Sequence, residues 1–276
     1  LQTTMPETGN DIQRKRARLT FRVSQHSLSF SVIDNSTESQ LAFEPYILKS
    51  GISLAANLRE AFEESDLLSY GYQRAQVMVD SPVLMIPIDE FDESAIEILY
   101  HHTFIGHGDS AVLHAILPNL NAVAVFSMNK DLKLVITDHF NDVRFHPMLQ
   151  PVWSYLHKRS FTGAYQKLYA YFHDKKVDVF CFQHNRFKFC NTFNAASAQD
   201  AIYFLLYAWK LLALDTEKDE LHIAGDVPER KWLTDNLHRY LQKVYYINPA
   251  AEFNRAPIIN IKGITFDLIT LFLKGK

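Results

Sequence analysis

Glycine is scarce in this chain, at 9 of 276 residues, so few positions let the backbone approach a ligand oxygen closely. Cysteine is scarcer still, with only Cys181 and Cys190. They flank a turn at Asn185-Arg186, and a two-residue loop there would set them facing one another across a hairpin. A cross-strand disulfide is geometrically conceivable. A chain without an export signal is expected to keep both thiols reduced, which points to a cytoplasmic protein. No uninterrupted run of 18 apolar residues occurs, so no membrane span is expected.

The net charge of −3 provides no global field to attract nucleic acid. Residues 1–18 lack the apolar centre of a secretory signal and end in Arg14, Lys15, Arg16 and Arg18. That stretch is expected to be a flexible, solvated lead. The missing initiator Met suggests a trimmed tag or a start inside a longer product. The whole chain is 47% hydrophobic and 21% charged, ordinary for a globular protein, and long enough for two medium domains.

Period-two alternation in Leu19 to Gln25 and Leu28 to Ile33, with a turn at Gln25-His26-Ser27, predicts a β-hairpin; Leu41 to Leu48 supplies a third strand. Ser53 then caps a helix. The second half begins likewise, with Lys167 to Phe172, a turn at Asp174-Lys175-Lys176, Val177 to Gln183, and Phe187 to Phe193. Ser197 caps a long apolar helix, with Asp200 three positions on. Tyr203, Phe204, Tyr207 and Trp209 on that helix are expected in the core.

The two halves repeat the order hairpin, third strand, helix, strand, helix, short strand, helix. Ala122 to Met128, apolar almost throughout, is taken as the first-half counterpart of Leu221 to Ala224. On that alignment 74 residues (122 − 48) stand against 28 (221 − 193), an excess of 46. The division expected is a first lobe over 19–160, with a subdomain inserted at about 76–118, and a second lobe over 161–276.

Three antiparallel strands followed by αβαβα, occurring twice, resemble the ribonuclease H-like unit. The duplication resembles the actin-like ATPase (sugar kinase, Hsp70 and actin) fold, an α/β class. The stretches "FCNTFNAASAQDAIYFLLYAWKLLALDTEKDELHIAGDV", "SPVLMIPIDEFDESAIEILYHHTF" and "LPNLNAVAVF" look like a Bacteroidetes family of unknown function with that fold. The likeness covers roughly Leu19 to Leu273, and Asn191-Thr192-Phe193 and the run from Asp200 to Leu206 carry it most specifically.

In active members of the superfamily, the resemblance implies, ATP lies between the lobes. The leading hairpin turns wrap its phosphates, a glycine-containing turn holds adenosine, and a carboxylate near the first turn positions magnesium. Carried over here, Asp174, Lys175 and Lys176 are the phosphate-side candidates, and Gly225 and Asp226 the adenosine-side ones. Neither leading turn contains glycine. Asp174 stands one place late and is expected at a turn tip.

The expectation is a non-catalytic scaffold or interaction module with a degenerate nucleotide cleft, engaging a protein partner at the cleft or the inserted block. The alternative is an ATP-binding protein with weak ATPase or kinase activity. His101, His102, His107 and His114, with Asp109, gather in the inserted block, but their spacing matches no zinc pattern. No catalytic residue and no metal ligand is assigned.

Overall fold

The computed structural model describes residues 17–183 and 186–273. Residues 1–16 of the expected lead, and Asn185 of the expected turn, lie outside the described residues. Strands β1 (Arg18–Val23), β2 (Leu28–Ile33) and β3 (Leu41–Tyr46) run antiparallel. Helix α1 (Leu54–Glu64) follows, its first turn capped by the Ser53 side chain, which accepts from the Ala56 N–H at 3.1 Å. It returns the chain to β4 (Arg74–Val79), parallel to β1.

Next come β5 (Leu84–Pro87), α2 (Ile96–Thr103), β6 (Ser110–Leu117) and β7 (Ala122–Asn129). The main sheet resumes through α3 (Lys130–His139), β8 (Asp142–Pro147) and α4 (Gln150–Ser160). Its strand order is β3-β2-β1-β4-β8, with β8 parallel to β4.

The second half is β9 (Lys167–His173), β10 (Lys176–Gln183), β11 (Arg186–Asn194), α5 (Ala198–Leu211), β12 (Glu220–Gly225), α6 (Arg230–Leu237), β13 (Val244–Tyr246), α7 (Pro249–Glu252) and α8 (Phe266–Leu273). Its sheet reads β11-β10-β9-β12-β13, the same plan strand for strand. Duplicated ribonuclease H-like sheets are therefore present, as the repeated order of elements implied.

The placement of the inserted block needs correction. The counterpart of β12 is β4, not the run from Ala122 to Met128. Between third strand and fourth the halves take almost the same length, Tyr46 to Arg74 against Asn194 to Glu220. The block lies one element later, after Val79, and forms its own three-stranded sheet in the order β5-β7-β6. Residues 76–79 thus belong to the main sheet, and β7 belongs to the block. The misassignment has a physical cause. β7 is buried on both faces, as a central parallel strand would be, but by different neighbours. Phe126 and Met128 join the first sheet's core, while Val123 and Val125 join the block's own core with Ile86, Ile96 and Tyr100.

The closing helix of each half packs against the other half. Val152, Trp153 and Leu156 of α4 meet Tyr169, Tyr171 and Phe180 of the second sheet. Leu268 of α8 meets Met78 of the first. Burying each large apolar side chain there contributes roughly 1.5–3 kcal/mol, so the exchanged helices hold the lobes against each other.

Two smaller expectations also change. Cys190 registers with Phe180, and Cys181 with Phe189, with a bulge after Cys181. The thiols are one register apart, hence on opposite faces of the hairpin, and both are free. On α5, Trp209 is buried, whereas Tyr203 (66%) and Tyr207 (51%) are exposed and stack on one another.

Candidate functional site

The two leading hairpin turns meet where the lobes join. The first spans residues 24–27 and is built around Ser24. Its Oγ accepts from the backbone N–H groups of His26 (3.2 Å) and Ser27 (3.0 Å). Those N–H groups, the ones a wrapped phosphate would need, are satisfied within the turn itself.

The second turn is the pair Asp174-Lys175, with Lys176 opening β10 rather than lying in the turn. Both turn residues are left-handed, at φ 45° and 61°. That is the geometry of a two-residue hairpin turn, which usually carries Asp-Gly or Asn-Gly. Asp suits the left-handed region and Lys does not, so the turn is strained at Lys175.

The Asp174 carboxylate crosses to the first hairpin. Oδ1 accepts from the hydroxyls of Ser24 (3.1 Å) and Ser27 (3.2 Å); Oδ2 accepts from Arg22 Nη2 (3.1 Å) and His173 Nδ1 (3.2 Å). Arg22, 4% exposed, also donates through Nε to Asp267 (2.9 Å) and through Nη1 to Ser27 Oγ (2.7 Å). Asp267, fully buried at the start of α8, accepts in addition from the Tyr171 and Thr265 hydroxyls. One guanidinium thus ties β1 to the turn after β9 and to the last helix.

His173 extends the network, with Nε2 2.6 Å from Asp178, which also accepts from the Thr192 hydroxyl. Burial alone would lower the His173 pKa. Hydrogen bonds to Asp174 and Asp178, and the nearby Asp80, outweigh burial and raise it to about 10. The ring is therefore an imidazolium at neutral pH, donating from both nitrogens. Burial pushes the Asp174 pKa up, but His173 and Arg22 more than compensate and hold it well below the usual carboxylate range. Burial also opposes the Arg22 charge, and Asp267, Tyr171 and Asp174 overcome it. Lys176 Nζ lies 2.9 Å from Asp80 at the end of β4.

Gly225, the adenosine-side candidate, has a structural reason to be glycine. At φ 90° an added Cβ would stand 2.1 Å from the Phe172 carbonyl oxygen of the neighbouring strand. The Asp226 N–H donates to that same oxygen at 2.9 Å. Gly225 and Asp226 line a cavity of about 730 Å³ that reaches Arg22, Ser27, His173 and Asp174. Asp174 and the turn bring these candidates to one place. Lys175 is exposed and outside that lining, and Lys176 is committed to Asp80.

The charges that face the turns are already paired with one another. Three formal cations (Arg22, His173, Lys176) face four carboxyl groups (Asp80, Asp174, Asp178, Asp267), leaving no surplus positive charge for phosphate. Asp80, His173 and Asp174 converge closely enough to hold a metal ion. Both ring nitrogens of His173 are donors, however, so the ring has no lone pair to offer a metal ion. Among the described residues the histidines of the inserted block do not converge on one point. His107 contacts Ser127, His114 leans on Phe91, and His101 lies 3.9 Å from Glu97.

Sequence reading missed Arg22, Ser24, Ser27, Asp80, His173, Asp178 and Asp267. The sequence carried no signal for them: Arg22 falls with Thr20 and Ser24 on the polar face of an alternating strand, which reads as solvent-facing, and the structure buries all three.

Two sheets of one plan, exchanged closing helices and leading hairpin turns that meet at the junction define an actin-like ATPase fold. The chain matches the family model described as "Protein of unknown function (DUF3822)" over residues 6–244, and it belongs to that family. It is similar to a crystal structure from Bacteroides thetaiotaomicron described as a protein with actin-like ATPase fold and unknown function. The identity is 28% and the TM-score 0.82, covering 97% of this chain and 99% of that one. A type IV pilus biogenesis complex, PilM-PilN, aligns at 11% identity and TM-score 0.56, covering 95% and 99%, and shows the fold alone. An inorganic polyphosphate/ATP-glucomannokinase from Arthrobacter aligns at 12% identity and TM-score 0.41, covering 94% and 99%, too distant to bear on function. No protein with a curated description matches the chain. No described helix is long and apolar enough to cross a membrane.

Proposed function

We propose that the chain is a non-catalytic, two-lobed interaction module whose nucleotide-type cleft is shut by its own side chains. The observation that carries this is the Asp174 carboxylate, held by Arg22, Ser24, Ser27 and His173 between the two hairpin turns. A carboxylate in that position is an internal anion that satisfies the donors a phosphate would use. To enter, a triphosphate would have to displace it, bring further negative charge against four carboxyl groups and break a buried ion pair. Breaking a buried pair costs roughly 3–5 kcal/mol, and the turns offer no free backbone N–H at Ser24 to repay it.

The module is taken to work in the cytoplasm and to engage a protein partner through its cleft or inserted block. The reading at odds with this one, ATP binding with weak turnover, draws on the 730 Å³ cavity beside Gly225 and Asp226. Thermal unfolding with millimolar MgATP separates them. Ligand at a hundredfold excess over Kd adds about 2.7 kcal/mol, worth about 5 °C at this length. No shift and no phosphate release are expected; a shift of several degrees with turnover would establish the ATPase reading instead.

A further inference from the structure

We infer that the slot between β11 and the inserted block receives an extended, carboxylate-bearing peptide segment of a partner protein, paired to β11 as a sixth strand. The inference rests on the chain being an interaction module, and it names the partner's chemistry.

β11 is the outer strand of the second sheet, nine residues long, and among the described residues no strand pairs with its outer edge. A cavity of about 950 Å³ runs along it, lined by the consecutive residues 187–192 and by Asn194. Successive side chains of a strand point to opposite faces, so a cavity touching all of them lies along the edge, where backbone N–H and C=O groups without a partner strand project. Among the hydrogen bonds of the described residues, the Thr192 N–H alone is taken there, by Asn191 Oδ1.

The facing wall is also consecutive, residues 79–85, leading into β5. β5 is itself an outer strand, of the three-stranded sheet. Ion pairs tie the walls at both ends. Arg186, at the start of β11, lies 3.9 Å from Asp89, just beyond β5. Lys176, in register with Asn194 at the end of β11, lies 2.9 Å from Asp80. Two edges of opposite direction thus bound a slot roughly 30 Å long, the span of about nine extended residues.

Backbone groups at such an edge are strong donors and acceptors, and a peptide strand answers them with matching spacing. Met85, Phe187 and Phe189 offer apolar surface for alternate side chains. Of the lining charges, Asp80 and Lys176 neutralise one another. Lys188 Nζ reaches only the Gln166 side-chain oxygen, at 2.8 Å, and has no carboxylate partner among the described residues. The surplus charge in the slot is positive, so the peptide should carry a carboxylate.

The test is selection of a displayed library of random linear nine-residue peptides on the whole chain, run in parallel on Asn191→Trp. Asn191 is exposed and its side chain bonds only the next backbone N–H, so tryptophan there fills the slot without entering the core. Its thermal unfolding, measured alongside, checks that the fold is intact. Expected are acidic, proline-poor sequences with alternating apolar residues, enriched at least tenfold on the native chain over the variant. Methylating alternate backbone nitrogens should weaken binding at least tenfold for one parity. Lys188→Glu should weaken it too, and bound peptide should slow amide exchange in residues 187–192.

No enrichment, equal enrichment on Asn191→Trp, or indifference to N-methylation in both parities would overturn the inference. MgATP binding tests the module reading separately. Peptide failure with no nucleotide response removes only the slot, whereas ATP turnover removes the reading beneath it.

Discussion

Replacing Asp174 with asparagine changes the charge at the lobe junction while leaving the backbone at ease, since asparagine accepts a left-handed φ of 45° as readily as aspartate. If the amide nitrogen faces Arg22 and His173, two cationic donors meet a third donor. The side chain is therefore expected to flip, setting its oxygen toward those two and its NH2 toward the Ser24 and Ser27 hydroxyls, which can accept. The remaining loss is charge. The Arg22 and His173 bonds stay charge-assisted through their donors, whereas the two hydroxyl bonds, worth about 1.5–3 kcal/mol each to a carboxylate, become neutral ones worth about 0.5–1.5 kcal/mol. The total comes to about 2–3 kcal/mol. At about 2.1 cal/mol/K per residue the whole chain has an unfolding entropy near 580 cal/mol/K, so Tm should fall by about 3–5 °C. Scanning calorimetry of native and D174N chains in one buffer measures this directly. A fall of less than 1 °C would refute the claim that the carboxylate ties the hairpins together.

His173 gains its proton on folding, so its contribution is complete below about pH 6.5 and is lost as pH rises toward about 10. Stability should decline by up to about 1.4 kcal/mol per pH unit between pH 6.5 and 8.5, and H173Q should flatten that slope in urea titrations; Asp174, ionised throughout, adds none. Gly225→Ala puts a methyl group 2.1 Å from the Phe172 carbonyl at φ 90°, so overpacking and strain together should cost about 3–5 kcal/mol, read as insolubility or a Tm loss of several degrees. Lys175→Gly removes a strained left-handed lysine and restores Asp-Gly to the turn. Denaturant unfolding should show a gain of about 0.5–1 kcal/mol, and a loss would mean that the lysine side chain has a role in the turn.

The plan of the fold was legible because it is written locally. Alternation marked β1 and β2, the same succession of strands and turns marked β9 to β11, and Ser53 and Ser197 marked helix starts that the structure bears out with hydrogen bonds. The inserted block was legible as an excess of length but not in its position. β7 satisfies the pattern of a strand buried on both faces, and periodicity does not say which sheet supplies the burial. The junction was barely legible at all. Arg22 meets Asp174 from 152 positions away and Asp267 from 245, and no spacing in a single sequence carries such a pairing. Asp174 was singled out through resemblance, as a phosphate-side candidate, and nothing in the sequence showed that its carboxylate joins the two hairpins.

The most direct measurement is a crystal structure grown with excess MgATP. The account expects the Asp174 carboxylate still seated on Arg22, Ser24 and Ser27, with no nucleotide between the turns. Phosphates and a metal ion bound there, with the Arg22–Asp174 pair parted, would contradict it.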